Sequence, residues 1–233
     1  QKNPFRNFMG WAWDKLYSKR FIINNDLKFQ EQRTSNDMFF TYMSLFKADR
    51  ITTLDERLIY QRRNNKNSLS MTREQSWDCF YHALMAMKQE LMDMGLYDRY
   101  RIYFVNYALH SCLWNMHTLS EETANLLRLR IKKEWANSLG ISELKEQEAE
   151  YPKEYHDYQC ILTQGKKGLK ISRQQYQIEQ ENAKKRTKKE KTVRAPIENT
   201  YVSESIYYQN YVNEIRNSKL FKIALATLKL FIK

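Results

Sequence analysis

Between positions 72 and 139 the chain holds one glycine and no proline, and its apolar residues recur every three or four positions. That pattern leaves little besides packed helices. Trp77, Phe80, Tyr81, Leu84, Met87, Leu91 and Met94 form one stripe, and Gly95 ends it. Thr72 and Gln75 read as a capping box at its start. A second helix is predicted over 97–117, apolar on several faces through Tyr100, Phe104, Tyr107, Leu109, Leu113 and Trp114, and so central in a bundle. Thr118 and Glu121 open a third, to about 139, carrying Leu126, Leu127, Leu129, Ile131 and Trp135. The methionines and aromatics in these stripes read as core rather than as a cofactor box.

Elsewhere the chain is harder to place. Residues 8–23 (FMGWAWDKLYSKRFII) read as a short strand feeding a helix, with Gly10 allowing close backbone approach and Asp14 and Lys15 forming a local ion pair. Aromatic faces there suit either a half-buried wall or one side of a sugar or nucleotide pocket. Residues 51–54 and 58–61 read as further short strands, and 62–70 (RRNNKNSLS) as a polar, basic loop. Its two adjacent arginines, three asparagines and Ser68 suit a diphosphate, and equally a solvated turn. The segment 141–158 is acidic and reads as a short helix.

In 33–47 (RTSNDMFFTYMSLFK), Thr34, Ser35 and Asn36 are good N-cap residues. Met38, Phe39, Tyr42, Met43 and Phe46 define a buried face. Asp37 then sits in the first turn of an anchored helix. A carboxylate there is either a fixed base or a residue favoured by the helix dipole.

Charge is uneven. The net charge is +12, and 165–195 alone carries eleven Lys and Arg against three Glu. That stretch, with lysine-rich 174–191, reads as a mobile arm or an exposed helix end. Nucleic-acid binding through it is an expectation ranked last, because no base-reading motif accompanies the charge. In 201–233, Leu220, Phe221, Ile223, Leu228 and Phe231 alternate with Lys219, Lys222, Lys229 and Lys233. A basic amphipathic helix of this kind fits an anionic membrane surface through 219–233, or docking on protein. No apolar run is long enough to span a membrane, and the chain starts at Gln1 without a signal peptide, as a fragment or processed form would. Cys79, Cys112 and Cys160 are widely spaced, and His82, His110, His117 and His156 lack ligand spacing, so a reducing, cytoplasmic setting and no metal framework are expected. The sequence is compatible with a homo-oligomer and does not select one.

Taken in order, GWAWDKLYSKRFI (10–22), LKFQ (27–30), RTSNDMFFT (33–41), KADRI (47–51) and LIYQRRNNKNSLS (58–70) resemble the second half of a family 2 glycosyltransferase. These are inverting enzymes of the GT-A fold that serve bacterial surface-polysaccharide synthesis. The resemblance covers about residues 5–120. It implies part of a GT-A α/β domain at 1–70; together with the periodicity and charge read above, the chain is expected to be mainly α with a small β portion, with a helical bundle at 71–164, a basic flexible segment at 165–200 and an amphipathic helix at 201–233. It implies that Asp37 is the general base, with Asn36 where the family more often has Glu. Trp13, Asp14 and Lys15 would line the donor-sugar and acceptor side of the cleft. Arg62 would steady the leaving diphosphate, near Asn64 and Ser68. The partners implied are a nucleotide-sugar donor and a glycan or lipid-linked acceptor, at the inner face of the cell membrane. The Mn²⁺ or Mg²⁺ of such enzymes belongs to an Asp-x-Asp in the family's first half. These residues contain no counterpart of that half, so this chain is expected to be inactive alone.

Overall fold

The computed structural model describes residues 3–54, 59 and 68–193, with side chains through Arg186. Residues Gln1–Gln177 pack as one compact unit, and a second comprises Ile178–Lys233.

The centre of the first unit is the helix the periodicity places there. Helices α1 (Pro4–Asn7), α2 (Lys19–Asn24), α3 (Asn36–Lys47) and α4 (Cys79–Asp93) precede it, and α5 (Tyr97–Thr118) is the longest helix of this unit. Eleven residues of α5 are buried, from Phe104 to His117, over most of its circumference, leaving one exposed stripe through His110, Trp114 and Thr118. A helix buried on most of its faces has to be surrounded by others. It packs against α1, α4, α6 (Glu121–Arg130) and α8 (Pro152–Gln164). Helix α3 lies against α4, so residues on both sides of position 70 share one core: Phe5, Tyr42, Met43, Leu84, Leu91, Phe104 and Leu127 belong to it together.

Local chemistry sets the helix ends. Asn3 caps α1, its Oδ1 accepting from the backbone of Phe5 and Arg6, with Pro4 in the first turn. Gly95 adopts a left-handed φ of 65°, and Leu96 N–H closes back onto Leu91 O. Ser120 caps α6 through Thr123 N–H, and Glu74 from the preceding segment also accepts from Ser120 N–H. Helix α6 continues through a π-helical turn, Ile131–Trp135, into α7 (Ala136–Ser138). Trp135 is buried there, stacked 4.0 Å from Tyr81.

Several expectations need correction. No strand occurs among the described residues, so the small β portion is not seen. Residues 51–54 carry no regular structure and are exposed, with Ile51 and Leu54 half open to solvent or more. A strand needs a paired neighbour and a buried face, and this segment has no buried face. Residues 8–17 form a bend held by side chains, described below. Of 58–61, only Ile59 lies among the described residues. Thr72 and Gln75 form no capping box: the Thr72 hydroxyl donates to Ser68 O, and a short 3₁₀ turn, Arg73–Ser76, precedes α4. The acidic segment makes two 3₁₀ turns, Ile141–Glu143 and Glu146–Glu148, before α8 begins at Pro152. Of the two readings offered for the lysine-rich stretch, it takes the exposed helix: α9 runs Lys166–Val193, with Leu169 and Ser172 buried near its start and most of 174–186 exposed. The predicted amphipathic tail and the loop holding Arg62 and Asn64 lie outside the described residues.

Candidate functional site

Asp37 is where three segments meet. Helix α3 begins after Ser35, whose left-handed backbone (φ 54°) turns the chain sharply without a side-chain cap. The turn before it is fastened to the segment ahead of α4. Thr34 Oγ1 pairs with Ser76 Oγ at 2.8 Å, Arg33 donates to Thr72 Oγ1 at 2.8 Å, and Gln32 donates to Cys79 O. The body of α3 is anchored on several faces, with Phe40, Tyr42, Met43 and Leu45 buried and Met38, Phe39 and Phe46 packed on the core. The base of the site is therefore rigid.

The other wall is the bend at 8–15. Phe5 anchors it, its ring 5.1 Å from Tyr42 and 5.3 Å from Tyr107. The Tyr42 hydroxyl donates to Phe8 O at 3.0 Å. At Gly10 a Cβ would lie 3.2 Å from the Tyr42 ring, so this backbone runs tight over α3. Lys15 then closes the bend. Its ammonium donates to the carbonyls of Met9 (2.8 Å) and Trp11 (2.7 Å), pairs with Asp14 at 2.5 Å, and lies 4.6 Å over the Phe8 ring. The predicted Asp14–Lys15 ion pair is present. Three acceptors fill the capacity of an ammonium. Lys15 is accordingly committed to its own loop, with its side chain only 15% exposed.

Between the two tryptophans, the backbone of Ala12 comes close enough to the Asp37 carboxylate to act on its protonation. Burial raises the Asp37 pKa above its ordinary value; its own N–H, that of Ala12 and the Lys15 charge act in the opposite direction. Tyr17 and Tyr107 also lie within reach of its field. The result is a half-buried carboxylate, more basic than a surface aspartate, held on backbone donors beside an ammonium.

The predicted site residues are distributed as follows. The Lys15 charge acts on Asp37, and Trp13 and Asp14 belong to the same bend as Lys15. Asn36 is half-buried, and its carbonyl accepts from Gln30 N–H. Ser68 serves a turn, its hydroxyl accepting from Met71 N–H and its carbonyl from Thr72. Arg62 and Asn64 are outside the described residues. Sequence reasoning missed the parts of Trp11, Ala12 and Tyr42. The signal that could have found them is the four-residue step from Trp11 to Lys15 beside Gly10, which suits a lysine closing on a carbonyl.

Among the described residues no group of three or more His, Cys, Asp or Glu is placed to hold a metal ion. Among these residues there is no ligand set that fits the Mn²⁺ or Mg²⁺ implied by the resemblance. The histidines have other partners: His110 with Glu154 (2.7 Å), His156 with Glu146, and His117 with the Ser172 hydroxyl. No helix among the described residues is long and apolar enough to cross a membrane. No protein-family model matches the chain, and no curated protein or solved structure matches it.

Proposed function

We propose that this chain is the acceptor-side part of an inverting, nucleotide-sugar-dependent glycosyltransferase, with Asp37 as general base. The observation that carries the proposal is the environment of Asp37. Its carboxylate is desolvated, made more basic by burial, and fixed between the start of α3 and the Ala12 backbone. That is what proton abstraction from an alcohol at neutral pH requires of a carboxylate. The ordered motifs from Gly10 to Ser70 supply the second support.

In this reading Asp37 takes the proton of an acceptor hydroxyl. The freed oxygen pair bonds to the anomeric carbon of the donor, on the face opposite the nucleoside diphosphate. The bond from that carbon to the diphosphate oxygen breaks, and its electron pair leaves with the phosphate. Arg62 offers a guanidinium fork to the departing charge. Lys15 holds the Ala12 donor in register and keeps positive charge near Asp37. No step runs through a metal held by these residues. Acceptor glycans that are lipid-linked would place the protein at the inner face of the cell membrane, with 219–233 offering an anionic-surface contact.

A second reading is a non-enzymatic helical interaction or membrane-attachment module. The absence of any strand among the described residues favours it. The two readings separate in a melting experiment with UDP, GDP, CDP and dTDP in the presence of Mn²⁺. It is run on this chain and on a version continued upstream in its own gene. The glycosyltransferase reading expects a nucleotide-selective rise in Tm in the longer form only. No shift in either form would leave Asp37 a helix-start residue and favour the module.

A further inference from the structure

We propose that Trp11 and Trp13 form a stacking platform for a pyranose ring of the acceptor, held beside Asp37 by the Lys15 clamp. The proposal rests on the glycosyltransferase reading and names what its acceptor side recognises.

The two indoles stack on each other, with ring centroids 5.0 Å apart and an interplanar angle of 18°. Yet each remains open to solvent, at 42% and 44% exposure. Two neighbouring tryptophans left this open form an apolar surface that calls for an occupant. Their support is not loose. The Lys15 ammonium bonds the carbonyls of Met9 and Trp11, and the Tyr42 hydroxyl bonds Phe8 O. A surface ordered in advance loses little freedom on binding. The platform also lies close to the carboxylate: Ala12, the residue between the tryptophans, is the one whose backbone acts on Asp37. Whatever stacks on the indoles is thereby delivered next to the base.

The chemistry around the platform selects the occupant. A pyranose has an apolar face of C–H groups and a rim of hydroxyls. The face suits an indole, and the rim suits carboxylate acceptors such as Asp14 and Asp37. A nucleobase would stack as well, but the phosphates that follow it would meet the Asp37 carboxylate, because Lys15 and Asp14 neutralise each other as a pair. An anionic lipid surface meets the same repulsion, although the exposed Met9 and Leu16 flank the pair.

The test uses the chain as given, with lactose, cellobiose, maltose and N,N′-diacetylchitobiose as probes. Binding is read by saturation-transfer NMR and by calorimetry. Wild type, Trp11→Ala, Trp13→Ala, Trp11→Phe and the control Trp114→Phe, a half-exposed indole on α5, are compared. Far-UV circular dichroism establishes that each variant is folded, and Trp11→Phe keeps an aromatic in place should the alanine variant fail to fold. The expected result is saturable binding of at least one disaccharide, weakened about tenfold in either alanine variant, or ~1.4 kcal/mol. Trp11→Phe is expected to retain part of the binding, and Trp114→Phe to bind like wild type. Three outcomes would overturn the proposal: no disaccharide bound by wild type, alanine variants that bind as wild type does, or association with phosphatidylglycerol vesicles through this pair and with none of the sugars. The nucleotide melting experiment fails independently. A nucleotide shift without sugar binding removes the platform alone. Sugar binding without a nucleotide shift in the longer form leaves a carbohydrate-binding surface and removes the transferase reading.

Discussion

Gly168→Ala sets two opposed effects against each other, and the structure decides between them. In an ordinary helix interior the change stabilises, because alanine is better than glycine by about 0.8–1 kcal/mol. Gly168 lies near the start of α9, three residues past the left-handed Gly165 (φ 61°) that separates α9 from α8. A Cβ built there falls 2.2 Å from the Cys160 carbonyl oxygen, 2.7 Å from its carbon and 3.1 Å from Ile161 Cα. All three are backbone atoms of α8, so no side chain can swing away. Relief requires the two helices to part by roughly 1 Å, enough to forfeit a good share of the dispersion contacts along the seam. Tyr158, Ile161, Leu169 and Ser172 are buried near this seam. Overpacking of this kind costs about 1–3 kcal/mol, and a clash against backbone belongs at the upper end. Subtracting the propensity gain leaves a net loss of about 2 kcal/mol, or a fall in Tm of about 4–8 °C for a domain of this size. Urea unfolding followed at 222 nm measures it directly. A Gly168→Ala protein as stable as wild type, or more so, would refute the close approach of α8 and α9.

Two further predictions concern side chains whose roles the sequence left open. His117 is buried against Ser172 and Tyr176, with Asp157, Lys153, Arg173 and His110 also acting on it, and burial lowers its pKa to about 4. The unfolded chain takes up that proton near pH 6.5 and the folded one does not, so this contribution is complete above pH 6.5 and is lost as pH falls toward 4; the loss reaches ~3 kcal/mol. His117→Gln, which does not titrate, is expected to lose less urea stability than wild type between pH 7 and 4.5, and equal losses would contradict this. Lys15→Met removes three hydrogen bonds from the bend at 8–15 and leaves two carbonyls without their donor. The near-UV circular dichroism arising from the stacked Trp11–Trp13 pair is expected to collapse while the far-UV spectrum stays intact, and an unchanged near-UV band would show that Lys15 does not hold the pair.

The helical part of the fold was legible because its signal is periodic and long. The stripe ending at Gly95, the central helix from Tyr97 and the helix leading to Trp135 all follow from spacing alone. The first 70 residues were less so. Bulky residues such as Trp11, Trp13 and Leu16 carry high strand propensity, but a strand also needs a partner, and propensity says nothing of partners. What shapes that segment is a single ammonium closing on carbonyls, a contact with no periodicity to reveal it. Thr72 shows the same limit: its hydroxyl has a nearby carbonyl to bond, Ser68 O, and takes it instead of capping a helix. Asp37 was placed correctly at the start of its helix. Its burial, and the Ala12 backbone that meets it, come from the packing of the bend against α3 and could not be read from either segment alone. Lys15, expected from the resemblance to line the cleft, is hydrogen-bonded to the carbonyls of its own bend.

The central claim is that Asp37 removes the acceptor proton. The most direct measurement is sugar transfer by the upstream-continued protein, comparing wild type with Asp37→Asn while nucleotide binding is followed in parallel. The amide keeps the size of the carboxylate and cannot accept the proton. The account predicts a fall in kcat of about 10²–10⁴-fold with nucleotide affinity nearly unchanged. Transfer by Asp37→Asn at the wild-type rate would contradict it.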